Sequence, residues 1–234
     1  MKFRYLTAVA VLAIAAAGCS SGPTVQTGPD AEITHDGLTR VDRTVMDTVW
    51  VRTGIDLSGV TKIRFHGLGV EYRNVDGPYS GRAGTGSTRN RSSQSEFQLD
   101  AETRALFEEE ITGAFLEEFQ SSEVFEVVDE AGPDVLDVHI GLLDVVSRVP
   151  PETIGRSTVF IDRVGEATLV LEVRDSVSHT VLARAVDRRA AESSMMTEST
   201  RVRNRAEVRR LGRRWGMILR DGLEKMIADG LQTG

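Results

Sequence analysis

The 234 residues contain one cysteine, at position 19, and it closes a segment unlike anything that follows. Lys2 and Arg4 precede an alanine-rich apolar run from Leu6 to Ala17 that is too short to span a bilayer, and Ala16-Ala17-Gly18 supplies the small residues a signal peptidase needs. Residues 1–18 read as an export signal. An exported chain folds where disulfides form, but a lone thiol cannot staple one chain and leaves no thiolate pair for a metal. The remainder must be held by its core. About 190 residues lie beyond the signal and its tether, and with 40% of the chain hydrophobic they suffice for one compact domain but are short for two.

Ala16-Ala17-Gly18-Cys19 resembles the lipobox of bacterial lipoproteins. The resemblance implies that Cys19 becomes the first mature residue, carrying covalent diacylglycerol and an N-acyl chain, with no other cofactor. Each buried methylene contributes about 0.8 kcal/mol, and more than one acyl chain makes the membrane anchor stable. Ser20 stands where inner-membrane lipoproteins of Gram-negative bacteria carry Asp. The resemblance therefore implies sorting to the outer membrane, on its periplasmic face. Without Lys2 and Arg4, 26 basic residues face 35 acidic ones and the net charge moves from −7 to about −9, which argues against a nucleic-acid partner.

Residues 19–36, rich in Gly, Pro, Ser and Thr, read as a lipidated flexible tether. Patterned sequence starts at Asp36-Gly37-Leu38. Thr44–Val51 and Lys62–Tyr72 alternate as strands, the second with glycines at 67 and 69 that mark a bulge or a close backbone approach. Residues 74–95 are nearly free of aliphatic side chains and predict a long mobile loop, with Arg82, Arg89 and Arg91 as candidate contacts for an anion. Asp100 caps a predicted helix to about Gln120 with an apolar stripe of Phe107, Ile111, Ala114, Phe115 and Phe119; Glu108, Glu109, Glu117 and Glu118 form its exposed face.

A short strand at Val124–Asp129 and the turn Gly132-Pro133-Asp134 lead to Leu136, Val138, Ile140 and Leu142 alternating with Asp137, His139 and Gly141. Ala167–Arg174 and Val181–Arg188 form a hairpin around Ser176–Thr180. A last helix from Arg201 carries Val208, Leu211, Trp215, Leu219 and Leu223 on one stripe and Arg209, Arg210, Arg213, Arg214 and Arg220 outside it. The expected architecture is α+β, a single domain over residues 37–231: two layers, with an antiparallel sheet and two main helices packed on one face.

Asp36-Gly37-Leu38, Val49-Trp50-Val51-Arg52, Ile55–Gly59, Gly132–Leu136, Ala167–Leu171 with Arg174-Asp175-Ser176, and Val181–Arg184 before Asp187-Arg188 together resemble the bacterial lipoproteins grouped as domain of unknown function family 3313. The resemblance covers about residues 36–231 and implies no established reaction or catalytic residue. His179 stands where the family pattern leads one to expect glycine in the hairpin turn.

No Gly-x-Ser-x-Gly elbow, His-Glu-x-x-His or dinucleotide fingerprint is present. His35, His66, His139 and His179 are widely separated and assign no metal site, and Asp175, Ser176 and His179 fall in one tight turn whose backbone Asp and Ser would bond. The reading is a non-catalytic binding or scaffold module, tethered to the membrane by its lipid, for an envelope protein, lipid or peptidoglycan. The alternative is a hydrolase of envelope polymers using Asp137, Asp144 or Glu172. An enzyme requires a deep pocket with convergent titratable groups; a binding module shows a flat or grooved surface.

Overall fold

A computed structural model of the chain describes residues 22–75, 96–150 and 159–230. Eight strands form one sheet: β1 (Thr24–Val25), β2 (Thr39–Asp42), β3 (Thr48–Val51), β4 (Lys62–Tyr72), β5 (Glu126–Val127), β6 (Val135–Ser147), β7 (Phe160–Asp175) and β8 (Val181–Glu198). Among the described residues there are two helices, α1 (Ala101–Gln120) between β4 and β5 and α2 (Arg201–Asp229) after β8. The α+β architecture is as the sequence implies. Strand order across the sheet is β1-β2-β3-β8-β7-β6-β4-β5.

The sheet is mixed, which corrects the antiparallel expectation. β4 runs parallel to both β5 and β6, while the other neighbours are antiparallel. The physical reason is α1: a helix between β4 and β5 carries the chain back to the end of the sheet where β4 began, so the next strands run in the same direction. After β5 the chain turns at Gly132-Pro133-Asp134 and enters β6 on the other side of β4.

Both helices begin where the sequence caps them. The Asp100 side chain accepts from Thr103 N at 2.7 Å, and Thr200 Oγ1 accepts from Arg203 N at 3.3 Å. Their apolar stripes, with Ile111, Phe115, Phe119, Leu211, Trp215 and Leu223, join Ile63, Val138, Leu142, Leu169 and Leu171 of the sheet in one core. The helices cross closely because α2 presents Gly212 and Gly216 to α1: a Cβ at 212 would lie 2.9 Å from Ala114 Cβ, and one at 216 would lie 3.3 Å from Phe115 Cα. Across the rim of this contact, Arg209 pairs with Glu110 and Glu117, and Arg213 and Arg220 pair with Glu118. An exposed pair such as Arg209 with Glu117 contributes about 0–1 kcal/mol, whereas Arg220 with Glu118 is largely enclosed and joins the glycine contact and the core in fixing how the helices meet.

From Gly22 onward the segment expected as tether is structured. Thr24–Val25 pairs with Val41 and Asp42 of β2, and Val25 is buried in a small cluster with Val41 and Val51. One apolar residue in a polar stretch was enough, because β2 and β3 offer it an edge to pair with and a pocket to fill. Asp36 and Thr34 are likewise bonded to each other. Among the described residues no helix is long and apolar enough to cross a membrane.

Candidate functional site

Side chains along a strand alternate between the two faces, and residues paired across strands share a face. On the side opposite the main core the register places six polar or aromatic residues in one row across six strands: Arg40, Trp50, Arg184, Glu172, His139 and His66. All six are half-buried. A shorter row beside it aligns Arg64, Asp137 and Arg174.

Contacts run along these rows. The Arg40 guanidinium sits 5.2 Å from the Trp50 ring centroid. Arg184 donates to Glu172 Oε2 at 2.7 Å and to Asp36 Oδ2 at 2.9 Å, and Arg174 Nε donates to Glu172 Oε1 at 2.6 Å. Arg64 grips both oxygens of Asp137, from Nε at 2.7 Å and Nη2 at 2.8 Å. The His66 and His139 imidazoles stack with centroids 4.2 Å apart and planes inclined by 10°. His66 Nε2 lies 3.1 Å from Asp137 Oδ2, an ion-pair distance, yet it is buried without hydrogen-bond geometry to any partner.

Protonation follows from these contacts. Burial pushes the Asp137 carboxyl up, but the two hydrogen bonds from Arg64 and the closeness of the His66 ring more than offset it, and the group stays below the usual carboxylate range. Glu172 is held low in the same way, by Arg184 and Arg174 against burial. Burial and the neighbouring His66 and Arg174 push His139 down, favouring a neutral ring.

A second cluster lies farther along the same strands. Asp144 adopts positive φ (57°) at a register shift between β6 and β7, which turns its carboxylate to Arg73 and Arg188. Gly165 belongs to that irregularity, since a Cβ there would meet Val146 O at 2.6 Å. Arg148 and Arg188 both bind Glu166. Asp144 is held low by its hydrogen bond from Arg73. Beside this cluster, an open groove of 430 Å³ lies between the β7–β8 ribbon and the start of α2, lined by Arg163, Arg188, Glu192, Glu207, Arg210 and Arg214 among others.

Of the three carboxylates proposed as catalytic, the fold brings Asp137 and Glu172 onto the same patch, on either side of His139, and sets Asp144 apart. His35 and His179 are exposed and belong to neither row, with His179 at φ 57° in the hairpin turn. Asp175 accepts from the Val177 and Ser178 amides, and Ser176 Oγ bonds Gly132, so these residues build turns. Cys19, Ser20, Arg82, Arg89 and Arg91 lie outside the described residues. The row of Arg40, Trp50, Arg184 and the stacked histidines was not read from the sequence. Its signal was the matched spacing Arg64-x-His66 and Asp137-x-His139, which becomes informative only once β4 and β6 are known to be parallel.

The family pattern for proteins of unknown function designated DUF3313 matches residues 33–216, most of the chain. The chain belongs to the DUF3313 family. The match spans β2 to the middle of α2 and so takes in the polar rows of this DUF3313 domain together with the glycine contact between its helices. No curated protein matches it. Among solved structures, it is similar to protein XCC0632 of Xanthomonas campestris, from family DUF330, with 13% identity over 72% of this chain and 86% of that one and a TM-score of 0.39. It is also similar to a PelC dodecamer from Paraburkholderia phytofirmans, with 8% identity over 71% and 94% of the two chains and a TM-score of 0.30.

Proposed function

We propose that this DUF3313 chain is a non-catalytic binding module of the bacterial envelope, anchored by lipid on Cys19, sorted to the outer membrane through Ser20, and presenting its polar sheet face to another envelope component. The observation that carries the reading is the continuous row from Arg40 to His66, open to solvent and laid across six strands. Its ion pairs are half-exposed and add little stability, whereas Trp and Arg on a flat patch are the residue types that concentrate binding energy at interfaces. Arg82, Arg89 and Arg91 belong to the proposal as salt-sensitive contacts with an anionic partner. The segment carrying them is bounded by Arg73 and Glu96, which pair with each other.

The hydrolase reading finds less support. Asp137, Asp144 and Glu172 are each held below the ordinary carboxylate range by arginines, so none is poised to donate a proton near neutral pH.

A photo-crosslinking residue placed at Trp50 in intact cells tests the proposal against the same residue at Glu109 on the outer side of α1. Capture of one component from the sheet face, lost in the Arg40→Ala/Arg184→Ala variant, is the expected result. Equal capture from both positions, or none from the sheet face, would overturn it.

A further inference from the structure

The register of β4 with β6 places His66 opposite His139 and Arg64 opposite Asp137, with all four side chains on the open face. One nitrogen from each imidazole and one Asp137 oxygen lie within 4.8 Å of one another. Asp137 is almost wholly enclosed, at 1% exposure. The contact between His66 Nε2 and Asp137 Oδ2 is the telling one. At 3.1 Å with no aligned proton, and with the nitrogen buried and lacking any hydrogen-bond partner, the two atoms are disposed as ligands of a common centre rather than as donor and acceptor.

We propose that His66, Asp137 and His139 form a three-ligand site for a divalent transition metal of the zinc class, with its remaining position open to water or to a ligand atom from a partner. Two imidazole nitrogens and one carboxylate oxygen suit Zn²⁺, Cu²⁺ or Ni²⁺, whereas Ca²⁺ and Mg²⁺ require shells of oxygen. Bonds of about 2.0–2.2 Å require the three ligand atoms to draw in to roughly 3.5 Å of one another. Ligation also requires the two rings to tilt out of their near-parallel stack so that their in-plane lone pairs converge, a side-chain rotation open to them because both are half-exposed and held on adjacent paired strands. Arg64 takes the outer role: it orients the carboxylate by two hydrogen bonds and leaves each oxygen a further lone pair for a metal. Glu172, paired with Arg174 and Arg184, offsets the guanidinium charge that adjoins the site.

The site is tested on the full chain in detergent with Co²⁺ as a spectroscopic probe and Zn²⁺ as competitor. Saturable binding of one Co²⁺ per chain, displaced by Zn²⁺, is expected. His66→Gln and His139→Gln should each weaken it by at least about tenfold, as loss of supporting ligand interactions does elsewhere, while His35→Gln and His179→Gln should leave it unchanged. A measurement on the unmodified sequence guards against variants that fail to fold: Zn²⁺ should protect His66 and His139, but not His35 or His179, from acylation by diethylpyrocarbonate, read by peptide mass. Absence of saturable binding, binding indifferent to both glutamine variants, or equal modification of all four histidines with and without Zn²⁺ would overturn the assignment.

Discussion

Trp215 offers the sharpest test of how the helices and sheet are joined. Its side chain is fully buried in the middle of α2, and its indole Nε1 donates to Asp187 Oδ2 at 2.7 Å. Asp187 is itself buried on β8, where it also receives Arg189 and the Asp47 amide. Trp215→Ala therefore removes a large apolar volume from the core and one of several donors from a buried carboxylate. Truncation of a buried aromatic costs about 3–5 kcal/mol, and the lost hydrogen bond to a charged group adds to it, so the upper end of that range is expected. Trp215→Phe largely separates the two effects: it keeps most of the apolar surface and loses the donor with part of the ring volume, for a cost of about 1.5–3 kcal/mol. Urea unfolding followed by far-ultraviolet circular dichroism measures both, since indole fluorescence would change with the substitution itself. A domain with 5–15 kcal/mol of stability would become marginal in the alanine variant. A loss below about 1 kcal/mol for Trp215→Ala, or equal losses for the two variants, would refute the packing argument.

Gly212→Leu should cost at least about 1–3 kcal/mol by forcing α1 and α2 apart at Ala114, and an unchanged urea midpoint would show that the contact is not tight. Asp137, Asp144, Glu166 and Glu172 have lowered folded-state pKa values, so their contribution is present above the unfolded values of about 4 and is lost as pH falls through the folded ones. Glu172→Gln should therefore flatten the loss of stability on acidification below about pH 4, and an unaltered acid limb in pH-dependent unfolding would count against the network. Cys19→Ala should abolish incorporation of a fatty-acid analogue in metabolic labelling; label retained by the variant would remove the anchor from the proposal.

Features set by neighbours along the chain were legible from residue order. The cap at Asp100, the stripes of α1 and α2 and the turn from Ser176 to Thr180 all depend on residues within a few positions of one another, where period and side-chain chemistry act directly. The alternation that turns Val138 into the core and His139 to the opposite face was legible for the same reason. Strand direction was not. Lys62–Tyr72 reads identically whether it runs with Val135–Ser147 or against it, and the choice was made by α1, whose length returns the chain to the starting end of the sheet. The ordering of Thr24–Val25 likewise depended on an edge supplied by distant residues.

The candidate site belongs wholly to this second class. Arg-x-His and Asp-x-His are unremarkable dipeptide spacings in the sequence, separated by some seventy residues that include α1. Only parallel, in-register pairing stacks the two imidazoles and sets the carboxylate of Asp137 under them, and only the pairing of β6 with β7 and β8 brings Glu172, Arg184 and Trp50 into line. Local sequence determined which side chains each strand turns outward; tertiary pairing decided which of them meet, because contacts between strands are made across space by residues that have no periodic relation along the chain.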